Sequence, residues 1–255
     1  MTDLEFALKL ADAADEISLA RFRALDLAVT TKPDRTPVTD ADQAVELRLR
    51  ELIAAERESD AIIAEEFGKS GSSTREWIID PIDGTANFLR GNSIWGTLIA
   101  LRISGEIKLA VVSAPALGRR WWAEIGSGAW TQDIDGSERQ LRVSKVSELS
   151  DSYVSYNSLQ QWLGIGKAQA IVDLAGKVWR IRAFGDFLSY MYVAEGILDA
   201  AFEPDLKIHD IAALVPIVRE AGGMFTALDG ELDESSSVVL ASNGRIHEQL
   251  RAVLN

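Results

Sequence analysis

Two carboxylates and a glycine turn lie together in the stretch Asp80-Pro81-Ile82-Asp83-Gly84-Thr85. The apolar run Trp77-Ile78-Ile79 before it predicts a buried strand. We expect this strand to end at Asp80, because the proline that follows has no N–H to donate to a sheet. Gly84 permits a sharp turn, and Thr85 can begin a helix whose first N–H groups remain unpaired. The stretch therefore places two acids and several free amides in one small volume.

Carboxylates this close raise each other's pKa unless a cation lies between them. Mg²⁺ and Ca²⁺ prefer oxygen ligands, and free amides at a helix start or tight turn favour a neighbouring anion. The pattern thus indicates a divalent metal beside a phosphate group. The alternative is that Asp83-Gly84 is only a turn signal and Asp80 only a helix cap.

Composition narrows the chemistry that this chain can carry. It has no cysteine, and His209 and His247 are its two histidines. Disulfides, thiolate nucleophiles and zinc–thiolate sites are excluded, and a histidine-rich zinc site cannot be built. A Ser-His-Asp triad would have to use one of the two histidines. Carboxylates, hydroxyls and a metal remain as the reactive groups.

The formal net charge of −13 argues against nucleic acid as a partner, because binding a phosphate backbone requires a basic surface. Small phosphates remain possible, since bound cations invert the local field. The N-terminus has no signal-peptide pattern, and no apolar run approaches membrane length. We expect a cytoplasmic protein with no membrane partner.

The 255 residues are enough for one large α/β domain or two closely packed halves. No linker rich in Ser, Gly or Pro divides them, so we predict a single domain over residues 1–255. Its halves would cover roughly residues 1–150 and 151–255.

Hydrophobic periodicity places helices and strands around the acidic stretch. Helices are predicted over Asp3 to about Leu27, the residues after Asp42, Leu159 to Ala175, His209 to Ala221, and Arg245 to Leu254. Strands are predicted over Ala61 to Ala64, Trp95 to Ile103, Ile107 to Ala114, Trp121 to Ile125, Val178 to Ala183, and Val238 to Ala241. We interpret the paired Trp121 and Trp122 as packing or interface residues.

Several separated motifs, in this order, resemble the magnesium-dependent, lithium-sensitive inositol monophosphatase family. They are Val38-Thr39-Asp40-Ala41-Asp42, Glu65-Glu66, the stretch from Asp80 to Thr85, His209-Asp210-Ile211-Ala212-Ala213, and Glu220-Ala221-Gly222-Gly223. The resemblance spans nearly the whole chain. It implies the layered αβαβα sandwich of that family, of the α+β class, and a homodimer whose interface we would look for at aromatic residues such as Trp121 and Trp122. It also implies a small phosphate ester as substrate.

The same resemblance implies two or three Mg²⁺ ions in each active site. One would be held by Glu65, Asp80 and the carbonyl of Ile82. A second would be held by Asp80, Asp83 and Asp210, and a looser third would lie near Glu65. Neighbouring residues of a strand point to opposite faces, so only one residue of the glutamate pair should reach the metals, and family position selects the first.

The catalytic residues implied by the resemblance are Glu65, Thr85 and Asp42. Asp42 would support Thr85, which with Glu65 would take the proton of a metal-activated water for in-line attack on phosphorus. The amides of Gly84 and Thr85 would hold phosphate oxygens, next to the carboxylates of Asp83 and Asp210. A loop that contains Lys32 is either a plain surface loop or, as in the family, a mobile loop near the metals.

The leaving-group end carries two further acids. Asp186 most simply caps a helix, but in the family the loop at Gly185 contacts the leaving group, and Glu203 matches a second such contact. Two acids suit a cationic alcohol better than a neutral polyol. Arg182 would hold a substrate oxygen or form an ion pair, and we favour the ion pair.

The stretches Arg182 to Tyr190 and Glu203 to Leu206 also resemble the histidinol-phosphate phosphatase branch of the family. We therefore predict L-histidinol phosphate as the substrate, in a step of histidine biosynthesis. Inositol monophosphate is the first alternative, followed by sugar bisphosphates and phosphoadenosine phosphate. A non-catalytic metal-binding regulatory protein of the same fold is the alternative from another class, and the presence of Thr85 with every expected ligand favours the enzyme.

Overall fold

The computed structural model describes residues 1–31 and 36–255, so the predicted loop residue Lys32 lies outside the described residues. Within them the helices are α1 (Asp3–Arg21), α2 (Asp40–Glu56), α3 (Thr85–Leu89), α4 (Leu159–Gly164), α5 (Ala168–Ala175), α6 (Asp186–Ala194), α7 (Ile208–Ile211), α8 (Leu214–Glu220) and α9 (His247–Leu254).

The strands that precede residue 150 are β1 (Val29–Thr31), β2 (Pro37–Thr39), β3 (Ala61–Ala64), β4 (Gly68–Ser70), β5 (Arg75–Asp83), β6 (Gly96–Ile103), β7 (Glu106–Ala114), β8 (Arg119–Glu124), β9 (Gly128–Gln132) and β10 (Glu138–Gln140). The later strands are β11 (Tyr153–Ser155), β12 (Arg180–Arg182), β13 (Ala200–Glu203), β14 (Met224–Ala227) and β15 (Val239–Ser242).

Two large sheets form the framework. One has eight strands in the order β10-β9-β8-β7-β6-β5-β3-β4, and the other has five in the order β12-β11-β13-β15-β14. The predicted hairpin of β6 and β7, extended by β8, is confirmed.

Successive side chains along a strand point to opposite faces of the sheet, so the eight-stranded sheet contributes to two hydrophobic cores. On β5, Trp77 and Ile79 pack against α1 and α2, whereas Ile78 packs into a core shared with α6, α8 and the five-stranded sheet. The far face of the five-stranded sheet packs on α4, α5 and α9. The layers are therefore helix, sheet, helix, sheet and helix, which confirms the αβαβα prediction. The single domain with two packed halves stays a prediction. The core that the two large sheets share supports it, because this core joins the halves.

The prediction that the central strand ends at Asp80 is wrong, because β5 continues through Pro81 to Asp83. Its pairing with β6 shifts in register between Asp80, opposite Leu98, and Asp83, opposite Gly96. The proline lies in this irregular segment, where no regular ladder bond is required of its nitrogen. Its carbonyl accepts a hydrogen bond of 2.8 Å from the hydroxyl of Thr97.

Three predicted helices are shorter or interrupted. The first ends at Arg21, since Phe22 is extended and Arg23 has a φ of 62°. The predicted helix from Leu159 to Ala175 is split into α4 and α5 around Gly166, whose φ of 74° is left-handed. The helix predicted from His209 to Ala221 is split into α7 and α8. Pro216 explains this break, because it has no N–H to donate to the carbonyl four residues earlier.

The interpretation of the paired tryptophans as packing residues is confirmed, whereas a dimer interface at these residues stays a prediction. Trp121 is fully buried and donates from Nε1 to Glu195 at 2.8 Å, and Trp122 packs partly buried against the core under α1. Trp179, beside the edge strand β12, is instead 62% exposed. Across residues 1–31 and 36–255, none of the helices has the length and apolarity needed to cross a membrane.

Candidate active site

Three carboxylates converge where β5 ends and α7 begins. One oxygen each of Asp80, Asp83 and Asp210 lies within 4.8 Å of the other two, and Asp80 is almost completely buried. The structure therefore brings together residues that are separated by more than a hundred positions in the chain.

Each of these carboxylates accepts a hydrogen bond from a backbone amide. Asp80 accepts from the N–H of Ile82 at 3.0 Å, within its own turn. Asp83 accepts from the N–H of Phe187 at 2.7 Å, in the first turn of α6. Asp210 accepts from the N–H of Lys207 at 2.6 Å, which caps α7. The side chain of Asp210 therefore both caps α7 and belongs to the group of three carboxylates.

Burial raises the pKa of Asp80 well above its usual value, and the charges of Glu65 and Asp83 raise it further. Burial, followed by the charge of Asp186, raises the pKa of Asp83 in the same way. No lysine or arginine among the described residues forms an ion pair with either carboxylate. A buried set of oxygen ligands with this repulsion fits a hard divalent cation such as Mg²⁺, which would offset the cost of ionising the acids.

Glu65 lies in the turn after β3, outside the group of three whose oxygens are within 4.8 Å. It is near enough that its charge contributes to the raised pKa of Asp80. The turn is held from α2 by Glu46, a fully buried carboxylate that accepts from the N–H groups of Glu66 at 2.7 Å and Phe67 at 3.1 Å. Arg50 pairs with Glu46 at 2.7 Å and also donates to the turn's Gly68 carbonyl.

Thr85 and Asp42 are in contact, as the family position implied. The Thr85 hydroxyl lies 3.2 Å from Asp42 Oδ1 and 3.0 Å from the carbonyl of Ile82, and its one proton can be donated to either. The other oxygen of Asp42 accepts from the N–H of Thr39 at 2.9 Å and from its hydroxyl. Burial raises the pKa of Asp42, and the charge of Glu65 adds to this.

Gly84 precedes α3 with a φ of 84°, a conformation that L residues rarely adopt. A Cβ there would lie 2.9 Å from the carbonyl oxygen of Ile94 and 3.3 Å from Asp186 Oδ2. Glycine is therefore required both by the turn and by the close approach of the neighbouring chain.

Asp186 is the first residue of α6, and the prediction that its side chain caps this helix is wrong, because the first N–H groups of the helix donate to Asn157 and Asp83. Its carboxylate instead accepts from Asn87 Nδ2 at 2.6 Å. The pKa of Asp186 is raised to about 6 by burial, despite the lowering effect of the Asn87 hydrogen bond. Gly185, just before it, has a φ of 88°.

Glu203 ends β13 and is 5% exposed. It accepts from the hydroxyl of Tyr190 at 3.3 Å and from Asn157 Nδ2. Burial, then the charges of Asp186 and Asp210, raise its pKa to about 8. The ion pairs within the described residues include none to Glu203, so this acid lies buried with neutral donors only.

Arg182 is exposed and donates to the carbonyl of Ile181 at 3.1 Å. It forms no ion pair with any described residue, so the predicted ion pair is wrong. Sequence reasoning also missed Asn87 and Asn157, which bond to the acids of the leaving-group end. Asn87 could have been found from its place two residues after Thr85, whereas Asn157 has no local signal.

Comparisons with known proteins find relatives that match nearly the whole chain. A family model described as the inositol monophosphatase family matches residues 2–255. A histidinol-phosphatase from Mycobacterium tuberculosis is 49% identical, with 99% of this chain and 98% of that protein covered. A histidinol-phosphatase from Streptomyces coelicolor is also 49% identical, over 100% of this chain and 97% of that protein. A solved structure of an IMPase from Thermotoga maritima is similar with a TM-score of 0.89 and 33% identity, over 100% of this chain and 97% of that one.

Proposed function

Because the chain belongs to the inositol monophosphatase family, we propose that it is a Mg²⁺-dependent phosphatase that hydrolyses L-histidinol phosphate to L-histidinol and phosphate. The observation that carries the proposal is the buried group of Asp80, Asp83 and Asp210, with the Thr85–Asp42 pair beside it. These are ligands and a proton acceptor suited to phosphate ester hydrolysis.

In this proposal, Asp80, Asp83 and Asp210 hold magnesium, with Glu65 and the carbonyl of Ile82 completing the ligand set. Magnesium, when bound, supplies a Lewis acid that lowers the pKa of water and stabilises charge on the leaving oxygen. The number of ions, two or three, is part of the proposal.

The proposed proton acceptors are Thr85 Oγ1 and the carboxylate of Glu65. Asp42 accepts the Thr85 hydroxyl proton, which leaves Oγ1 able to accept a proton from the attacking water. The water oxygen forms a bond to phosphorus as the ester bond on the opposite side breaks, and the leaving oxygen takes the bonding electrons and then a proton from solvent to give the alcohol. The amides of Gly84 and Thr85 would hold phosphate oxygens during this step. A covalent phosphoenzyme is not required.

The two acids at the leaving-group end support the choice of substrate. L-histidinol phosphate carries an ammonium group and an imidazole. Glu203 is buried among neutral donors with a pKa of about 8, so an ammonium or imidazolium would stabilise its ionised form. The two histidinol-phosphatases at 49% identity favour the same substrate over inositol monophosphate.

The test is phosphate release from L-histidinol phosphate and from inositol 1-phosphate, measured side by side with Mg²⁺ and with a chelator. We expect turnover that requires Mg²⁺ and a preference for the histidinol ester of at least about a hundredfold in kcat/KM, because removing a charged partner costs a few kcal/mol. A preference for the inositol ester would overturn the substrate and leave the metal site standing. No Mg²⁺-dependent turnover of either ester would overturn the proposal as a whole and favour the non-catalytic alternative.

The proposal also includes the cytoplasm as the compartment, histidine biosynthesis as the process, and a homodimer as the assembly. The dimer rests on the family resemblance alone. Light scattering on the purified protein measures the mass directly, against 27.9 kDa for one chain.

A further inference from the structure

The segment from the end of β11 through the first turns of α4 reaches the leaving-group end of the site. It contributes Asn157, which lies between the two elements, and Gln161, in the first turns of α4. Neither residue belongs to a motif that the sequence analysis singled out.

Asn157 connects the two acids of this end through both atoms of its amide. Its Oδ1 accepts from the backbone N–H of Asp186 at 3.0 Å, and its Nδ2 donates to Glu203. The φ of Asn157 is 57°, in the left-handed region, which asparagine tolerates better than most residues. One side chain therefore sets the separation between the start of α6 and the end of β13.

Gln161 lies beside the same glutamate with an unused acceptor. Its side-chain amide is near enough to Glu203 to favour the ionised form of that acid, which lowers the pKa that burial raises. Its Oε1 is buried and has no hydrogen-bond partner among the described residues. A buried carbonyl oxygen without a donor costs stability, and a ligand N–H would remove that cost.

We propose that this segment selects the alcohol, with Asn157 as a positioning residue for Asp186 and Glu203 and with Gln161 Oε1 as an acceptor for an N–H of the leaving group. The inference rests on the proposed function, because it concerns the alcohol half of that substrate. A nitrogen-bearing alcohol offers both a positive charge to Glu203 and an N–H to Gln161. A neutral polyol offers hydroxyl donors but no charge.

The variants are chosen so that the backbone is undisturbed. Asn157→Gly removes both hydrogen bonds and keeps the left-handed φ without strain. Gln161→Leu removes the acceptor at similar volume. Gln160→Leu is the matched control, because Gln160 is the exposed neighbour on the same helix.

Each Mg²⁺-loaded variant is assayed with L-histidinol phosphate and with glycerol 2-phosphate, whose alcohol is neutral. We expect KM for the histidinol ester to rise about tenfold in both variants, because Gln161→Leu removes one hydrogen bond to the ligand and Asn157→Gly releases the two acids that Asn157 positions. We expect kcat to stay within about twofold and KM for glycerol 2-phosphate to be unchanged. Gln160→Leu should match the wild type with both esters.

A direct binding measurement gives a second readout. Calorimetric titration of the Mg²⁺-loaded enzyme with L-histidinol should show Kd rising by a similar factor of about ten in both variants. An equal rise in KM for both esters, or an unchanged KM for the histidinol ester, would overturn the inference. The ratio of the wild-type kcat/KM values for the two esters tests the proposed function separately. If Asn157→Gly does not fold, Gln161→Leu still decides the question.

Discussion

The two ends of the candidate site hold their acids in different ways. At the metal end, Asp80, Asp83 and Asp210 accept hydrogen bonds from backbone amides. At the alcohol end, Asp186 and Glu203 accept from side chains, namely Asn87, Asn157 and Tyr190. A backbone donor is present whatever the residue, whereas a side-chain donor is lost with one substitution. The backbone therefore holds the acids proposed for the reaction. Side chains that a single substitution can remove hold the acids proposed to select the substrate.

The largest effect is expected at the metal end. Asp83→Asn removes one ligand charge at nearly constant volume and keeps an oxygen for the N–H of Phe187. We expect kcat/KM to fall about a thousandfold or more with every ester, since the lost metal interaction stabilises the transition state by several kcal/mol. Phosphate release and circular dichroism are measured together.

The matched control for this change is Asp173→Asn, at an exposed aspartate of α5. It should retain wild-type activity. An inactive Asp83→Asn that has also lost its helical circular dichroism would contradict the prediction, because the loss would then reflect unfolding.

Glu203→Gln should give a smaller and more selective effect. The amide keeps an acceptor for Asn157 but loses the negative charge that a cationic alcohol would meet. We expect KM for L-histidinol phosphate to rise about tenfold to a hundredfold, with KM for glycerol 2-phosphate little changed. Steady-state kinetics at saturating Mg²⁺ measure both. Equal increases for the two esters would show that Glu203 serves the metal end, and the comparison would fail.

Glu46 is an exception to this difference between the two ends, because here a side chain holds the backbone at the metal end. Glu46→Gln keeps one acceptor for the turn that carries Glu65 but loses the ion pair with Arg50. We expect the Mg²⁺ concentration for half-maximal activity to rise about tenfold, the size of effect typical for residues that orient metal ligands. KM for the ester at saturating Mg²⁺ should stay constant.

Glu51→Gln is the control for this change, since Glu51 is exposed on the same helix and pairs only with the exposed Arg48 within the described residues. If Glu46→Gln left the Mg²⁺ requirement unchanged, Glu46 would have no role in positioning Glu65. Mn²⁺ binding followed by paramagnetic resonance tests the same point without turnover.

The smallest effect concerns stability and pH. Glu203 has a pKa of about 8 when folded against an ordinary value of 4.5. A raised pKa means that the folded state binds the proton more tightly, so the stability it contributes is complete below pH 4.5 and is lost as the pH rises through about 8.

In chelator, the wild type should therefore lose stability relative to Glu203→Gln between pH 5 and pH 9. We expect the difference in Tm to change by about 10 °C over that range for a chain of this size. Differential scanning calorimetry of both proteins provides the measurement. A difference that changes in the opposite direction with pH would mean that Glu203 is ionised in the folded protein.

The metal end was more predictable from the sequence than the alcohol end. The apolar run Trp77-Ile78-Ile79 identified β5, and Asp80 and Asp83 are close in the chain. The pair of Thr85 and Asp42 came from family position, and the structure places them in contact. The break before α8 was readable from Pro216, although the apolar period concealed it.

The alcohol end depends on tertiary contacts that leave no local pattern. Asn157 is 46 positions from Glu203 and 29 from Asp186, so only the folded chain brings them together. The presence of Asp186 and Glu203 was predicted, but their donors were not. The cap proposed for Asp186 failed because its carboxylate is held by Asn87, 99 positions away.

The irregular pairing of β5 also explains a spacing in the sequence. In a regular strand, residues three apart face opposite sides of the sheet, so Asp80 and Asp83 would be separated by the sheet itself. Their partners on β6, Leu98 and Gly96, are only two positions apart, so β5 has one more residue than β6 between the acids. Because of this extra residue, Asp80 and Asp83 lie on the same face of the sheet. With the same three-residue spacing in a regularly paired strand, one acid would point into the opposite core, so the irregular pairing is as much a requirement as the composition of this motif.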